Sequence, residues 1–207
     1  MTPEKKRKTA KVLSLIVIIV AIMVIIGWIF DISVLKSISP AWVTMKLTTA
    51  IAFLLSGITL YFIVTAIEGE FDKAQVALSI ASLIIVLLMG TLFFSSLLKI
   101  HTGVDDLFIK ETTGSVKTVT PGRPSVPTML NFILIAAAGI LTMLNPKKLL
   151  SKLRTIGLTV GIIGAVAVAG YIINAPLLYY FIEGTNSAMA IHTAILFVLL
   201  GVGLSCL

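Results

Sequence analysis

The sequence predicts an all-α integral membrane protein with six transmembrane helices, arranged as three pseudo-repeated helical hairpins. Three observations predict it. First, 58% of the 207 residues are hydrophobic and 12% charged, with a mean hydropathy of +1.11, whereas a soluble domain is about half apolar and about a quarter charged. Second, six apolar runs approach the roughly 20 residues that a spanning helix needs. Third, "MKLTTAIAFLLSG" (Met45 to Gly57) and "MAIHTAILFVLLG" (Met189 to Gly201) match at Met, Thr, Ala, Ile, Phe, Leu and Gly.

The spans are expected at 12–30, 45–67, 75–98, 128–145, 155–174 and 188–206. Residues 1–11, "MTPEKKRKTAK", form a basic cytoplasmic N-terminus, and 12–207 the membrane domain. The first run is too long for a signal-peptide core and lacks a small-residue cleavage site, so it reads as a retained span. The runs are continuously apolar rather than alternating, which argues helix over strand.

Basic residues set the orientation. With both termini inside, the cytoplasmic side holds ten (Lys5, Lys6, Arg7, Lys8, Lys11, Lys73, Lys147, Lys148, Lys152 and Arg154). The other side holds six: Lys36, Lys46, Lys99, Lys110, Lys117 and Arg123. That bias predicts cytoplasmic termini and a multi-pass location in the cell membrane. It also accounts for the net charge of +7 without a nucleic-acid partner.

The outer loop 99–127 is the longest. Val104, Leu107 and Phe108 give its first half apolar anchors, and Pro121, Pro124 and Pro127 with Gly122 favour an extended second half.

Each even-numbered span is a return helix. Aligning Gly57, Gly139 and Gly201 brings Thr49, Asn131 and Thr193 into register. At 100° per residue, Lys46, Thr49, Ala50, Phe53 and Gly57 share one stripe, and Ala190, Thr193, Ala194, Phe197 and Gly201 share its counterpart. Small residues and threonine let membrane helices approach closely. The fifth span carries a second seam: Gly157, Gly161, Ala165 and Ala169. Intramolecular packing explains both seams more simply than a homodimer interface, which stays open as a partner.

Five residues are candidates for contact with a ligand or signal: His192, Lys46, Asn131, Asn174 and Tyr179. Each has a plainer reading beside it. His192 lies off the stripe, in line with Leu196 and Leu199, within one turn of the helix start, where the wet interface would receive it. Lys46 fits a snorkelling lysine. Asn131 suits an interhelical hydrogen bond. Asn174 and Tyr179, with Tyr171 and Tyr180, suit the interfacial aromatic belt. The lone cysteine, Cys206, reads as a small apolar residue at a helix end.

Catalytic signatures are missing. The sequence has neither a phosphate-cradling nor a dinucleotide fingerprint, and its two histidines and one cysteine are far apart. His101 with Asp105 and Asp106 is only a loose cation motif. Neither a metal nor a cofactor is expected, and the chain is not expected to be an enzyme. No span carries a mid-membrane Asp or Glu, which weighs against coupled transport.

The pieces "GWIFDISVLKSISPAWVTMKLTTAIAFLLSGITL", "GVDDLF", "TPGRPSVPTMLNFILIAAAGIL" and "AMAIHTAILFVLLGVGL" resemble the six-span membrane input region at the N-terminus of prokaryotic sensor histidine kinases and diguanylate cyclases. The resemblance implies a non-catalytic sensor whose last helix passes a stimulus to a cytoplasmic kinase or cyclase output. The sequence reaches Leu207 as the sixth span ends, so the expectation is either a piece of such a protein or a standalone relative with a signalling partner. A small transporter or channel, and a structural subunit of a membrane complex, are the alternatives.

Overall fold

The computed structural model describes residues 2–100, 102–104, 107–108, 116–183 and 186–207. Among these residues seven α-helices follow in order: α1 (Pro3–Ile29), α2 (Ser33–Lys36), α3 (Leu47–Ile67), α4 (Phe71–Leu97), α5 (Val126–Leu144), α6 (Leu149–Ile172) and α7 (Ile191–Ser205). A 3-10 turn, Pro176–Tyr179, precedes α7. Among the described residues the only β-type pairing is an isolated bridge between Ile182 and Asn186.

Among the same residues, five helices (α1, α3, α4, α5 and α6) are long and apolar enough to cross a membrane. The outward faces of α1, α4 and α6 carry exposed Val12, Ile19, Ile80, Leu87, Leu158 and Ile162. Apolar faces of that extent suit lipid rather than water. The chain is therefore an all-helical protein of membrane-embedded type.

Several helices start earlier than the apolar runs. α1 begins at Pro3, so the basic segment continues the first helix; Thr2 caps it, accepting from the Lys5 amide at 3.4 Å, with Pro3 in the first turn. Lysine and arginine are good helix formers, and hydropathy alone does not see them. The sixth segment differs the other way. α7 has 15 residues, about 22 Å at 1.5 Å per residue. Before it, 188–190 is non-helical and buried. The Ala188 and Met189 amides donate to the Lys117 and Tyr179 carbonyls at 3.1 and 2.9 Å. Irregular backbone inside a bundle is stable where protein satisfies it in this way.

Consecutive long helices are neighbours, and α7 closes on α1. Side-chain registers give the directions. Gly57 of α3 lies against Ser14 and Ile18 of α1, Gly139 of α5 against Ser82 of α4, and Gly157 and Gly164 of α6 against Leu204 and Ala194 of α7, so each of these pairs is antiparallel. Phe53 meets Phe132 and Phe197, while Leu60 meets Gly203. Thus α3, α5 and α7 run parallel to one another as the inner helices, and α1, α4 and α6 flank them.

The predicted stripes are buried: Lys46, Thr49, Ala50 and Phe53 on α3, and Ala190, Thr193, Ala194 and Phe197 on α7, are each at most 4% exposed. The α6 seam differs. Its buried positions are Leu153, Gly157, Val160, Gly164, Ala167 and Gly170, whereas Ala165 and Ala169 face outward. A strict four-residue step drifts about 40° per step on a 100° helix, so Ala169 has rotated away from Gly157. Alternating steps of three and four stay on one side.

Candidate functional site

One end of the bundle gathers the starts of α3, α5 and α7 and the ends of α1, α4 and α6; we call it the loop end. The other, the basic end, holds the start of α1 and the α5–α6 turn.

At the loop end the three flanking helices stop in the same local way. Asp31, Lys99 and Asn174 adopt positive φ of 56°, 55° and 54°. The amide one residue on reaches back to the carbonyl of Gly27, Ser95 or Gly170, at 2.8, 3.0 and 2.8 Å. This is the Schellman type of helix stop. Asn174 therefore serves as an exposed helix terminator, since asparagine tolerates the left-handed region.

Each inner helix then begins from an extended residue: Lys46, Ser125 and Ala190, with φ near −65° and ψ near 150°. Three residues on stand Thr49, Thr128 and Thr193, and seven on stand Phe53, Phe132 and Phe197. The three rings form a triangle with centroids 4.7, 4.8 and 4.9 Å apart. Counted from the helix starts, Thr128 takes the place expected of Asn131, and Asn131 stands level with Ala52 and Leu196. Aligning on Gly139 shifts the middle helix by three residues: Gly57, Gly139 and Gly201 each pack on the preceding flanking helix, but Gly139 stands fourteen residues after its helix start and the other two eleven.

The described residues 116–125 cover these helix starts. Lys46 Nζ donates to Thr118 Oγ1 at 2.9 Å, and Thr48 Oγ1 to the Gly122 carbonyl at 3.3 Å. The Val119 amide donates to Ser187 Oγ at 3.0 Å. Lys117 Nζ donates to the Tyr179 hydroxyl at 2.5 Å. Arg123, 8% exposed, donates to Ser95 Oγ and the Ile100 carbonyl at 3.0 and 3.1 Å. Lys46, at 4% exposed, is thus a buried tether rather than a snorkelling side chain. Tyr179 is 1% exposed and stacks on Tyr171 at 4.3 Å, inside the protein rather than in an interfacial belt. Burial also raises the Tyr180 hydroxyl above its ordinary pKa, and it donates to the Ile163 carbonyl at 3.0 Å.

His192 and Asn131 behave differently. His192 is 8% exposed and Asn131 fully buried, and among the described residues neither ring nitrogen and neither amide atom has a hydrogen-bond partner. The wet-interface reading of His192 is therefore corrected: the extended segment 188–190 and the covering loop carry the start of α7 below the surface. Asn131 does not make the expected interhelical bond. An unpaired buried polar group costs about 1–3 kcal/mol; Ser56 Oγ and Ser82 Oγ are likewise buried without a partner among the described residues, but His192 and Asn131 each leave two polar atoms for a polar ligand to satisfy.

Sequence reasoning missed Arg123 and Lys117, counted only for topology, and Thr48. The signal was "PGRP", an arginine held between prolines. His101, Asp105 and Asp106 lie outside the described residues. Within the described residues there is no group of three metal-ligating side chains. Comparison with protein-family models, curated proteins and solved structures finds no match to this chain.

Proposed function

We infer that this chain is a membrane signal-input module: six spans in three like-oriented hairpins, termini on the cytoplasmic side of the cell membrane, and a last helix that hands a stimulus to a cytoplasmic kinase or cyclase output. The observation that carries the reading is that His192 and Asn131, on inner helices, are buried with two polar atoms each lacking a hydrogen-bond partner among the described residues. A polar stimulus reaching them would reorder the loop tethers at Lys46, Lys117 and Arg123. α7 begins one residue before His192, so the change would bias its position between two packed arrangements.

The hairpin repeat is supported by the recurring helix stops at Asp31, Lys99 and Asn174 and by the recurring starts at Lys46, Ser125 and Ala190. A further correspondence joins the first and third hairpins. Trp28 Nε1 donates to the Met45 carbonyl at 2.8 Å, and the Tyr171 hydroxyl to the Met189 carbonyl at 2.9 Å. Both carbonyls immediately precede an inner helix.

Purification of the full chain in mild detergent, with and without His192→Ala, tests the reading. Recovery of a histidine kinase or diguanylate cyclase activity that changes on substitution supports it. Solute flux through proteoliposomes, with no such activity recovered, overturns it.

A further inference from the structure

The basic end carries a feature that the signal-input reading does not use. A cavity of about 300 Å³ opens there, with Lys6 and Arg7 of α1 and Arg154 of α6 on its rim. It adjoins a second recess of about 620 Å³, which Lys148 lines. Ile67 and Leu150 line both, forming a shared apolar floor.

The charge is one-sided. No aspartate or glutamate is among the described residues lining either recess. Two carboxylates at this end are already engaged: Glu68 with Lys11 at 2.5 Å and Glu70 with Lys73 at 2.6 Å. The polar contact made by the Arg154 guanidinium is to the Leu207 main-chain oxygen, at 3.0 Å. Its remaining donors, with Lys6 and Arg7, surround an apolar floor that no described aspartate or glutamate side chain lines. Guanidinium groups bind phosphate oxygens through paired N–H donors, and basic pockets between membrane helices suit anionic head groups.

We propose that this recess binds the phosphate of an anionic phospholipid, with the Ile67 and Leu150 floor receiving apolar parts of the same molecule. A phosphate ion has the same charge chemistry but no use for the floor. The geometry favours the lipid, because cationic rim and apolar floor form one continuous surface.

The test is titration of the full chain in detergent with phosphatidylglycerol or phosphatidylcholine, read by native mass spectrometry, with inorganic phosphate as competitor. Phosphatidylglycerol is expected to bind in preference to phosphatidylcholine and to resist millimolar phosphate. The double variant Arg7→Gln/Arg154→Gln is expected to bind about 30-fold more weakly, at about 1 kcal/mol per basic residue. The control is Lys5→Gln/Lys8→Gln, which removes equal charge from the opposite face of α1, where those lysines line a separate groove. It is expected to keep wild-type binding; circular dichroism of both variants confirms the helical fold. Equal losses in the two double variants, displacement by phosphate, or no preference over phosphatidylcholine would each overturn the proposal.

Discussion

Gly201 of α7 lies so close to Gly161 of α6 that a methyl group added to Gly201 would stand 2.5 Å from the Gly161 Cα. Backbone meets backbone there, so no rotamer change can make room. Gly201→Leu is expected to destabilise the protein by about 1–3 kcal/mol or more, the range for overpacking a filled interface. Thermal unfolding in detergent measures it. Ala165→Leu, on the outward face of the partner helix α6, is expected to leave the midpoint unchanged, which separates a packing seam from a general intolerance of bulk.

The triangle of Phe53, Phe132 and Phe197 holds the three inner helices together at one level. Each ring is fully buried, and tilted or edge-to-face pairs add to their area burial. Phe132→Ala is expected to cost about 3–5 kcal/mol through the cavity it leaves. Phe94→Ala, whose ring is 63% exposed, is expected to cost little. Equal effects at both positions in a detergent unfolding series would refute a central role for the triangle.

The parts of this architecture that depend on helical periodicity were legible in the sequence. The Lys46–Gly57 and Ala190–Gly201 stripes could be read because one helix face repeats every three to four residues, and both are buried. Three features escaped for physical reasons. The basic start of α1 is helical by propensity, not by hydropathy. The true α6 seam alternates steps of three and four, which a search at constant spacing of four misses. Arg123 and Lys117 act through the fold of a loop, and loop contacts such as Lys46 to Thr118, 72 residues apart, leave no local pattern. The register of the middle repeat was obscured because Gly139 makes the same kind of flanking-helix contact as Gly57 and Gly201 but three residues further from its helix start. His192 was visible as an ionisable residue, but its burial depends on segment 188–190 being extended and covered.

Asn131 and His192 lead to a prediction whose sign is informative. Replacing a buried polar group that lacks a partner with an apolar side chain of similar shape is neutral or stabilising. Asn131→Leu keeps the branched shape and removes the unpaired amide, so thermal stability in detergent is expected to hold or rise. The associated signalling output is expected to fall. The same pair of measurements applies to His192→Leu. A clear loss of stability would mean that the polar groups serve the fold rather than a ligand.

The turn after α1 predicts an acid-sensitive optical signal. Lys36 Nζ donates to Asp31 Oδ1 at 2.5 Å and lies 5.0 Å from the centre of the Trp28 ring. The hydrogen bond and charge of Lys36 hold the exposed Asp31 carboxyl below its ordinary value of 3.8. A carboxyl with a lowered folded pKa contributes stability above its unfolded pKa, and that contribution is lost as pH falls through the lowered value. The Lys36 ammonium is then released from the turn and moves relative to the indole. Trp28 fluorescence, followed in a Trp42→Phe background, is expected to titrate below pH 3.8. Asp31→Asn keeps a side chain that tolerates the positive φ of 56° at this position while removing the titrating group. The variant is expected to give a flat fluorescence profile in this range. A transition that persists in Asp31→Asn would assign the signal to another group and remove the ion pair as its cause.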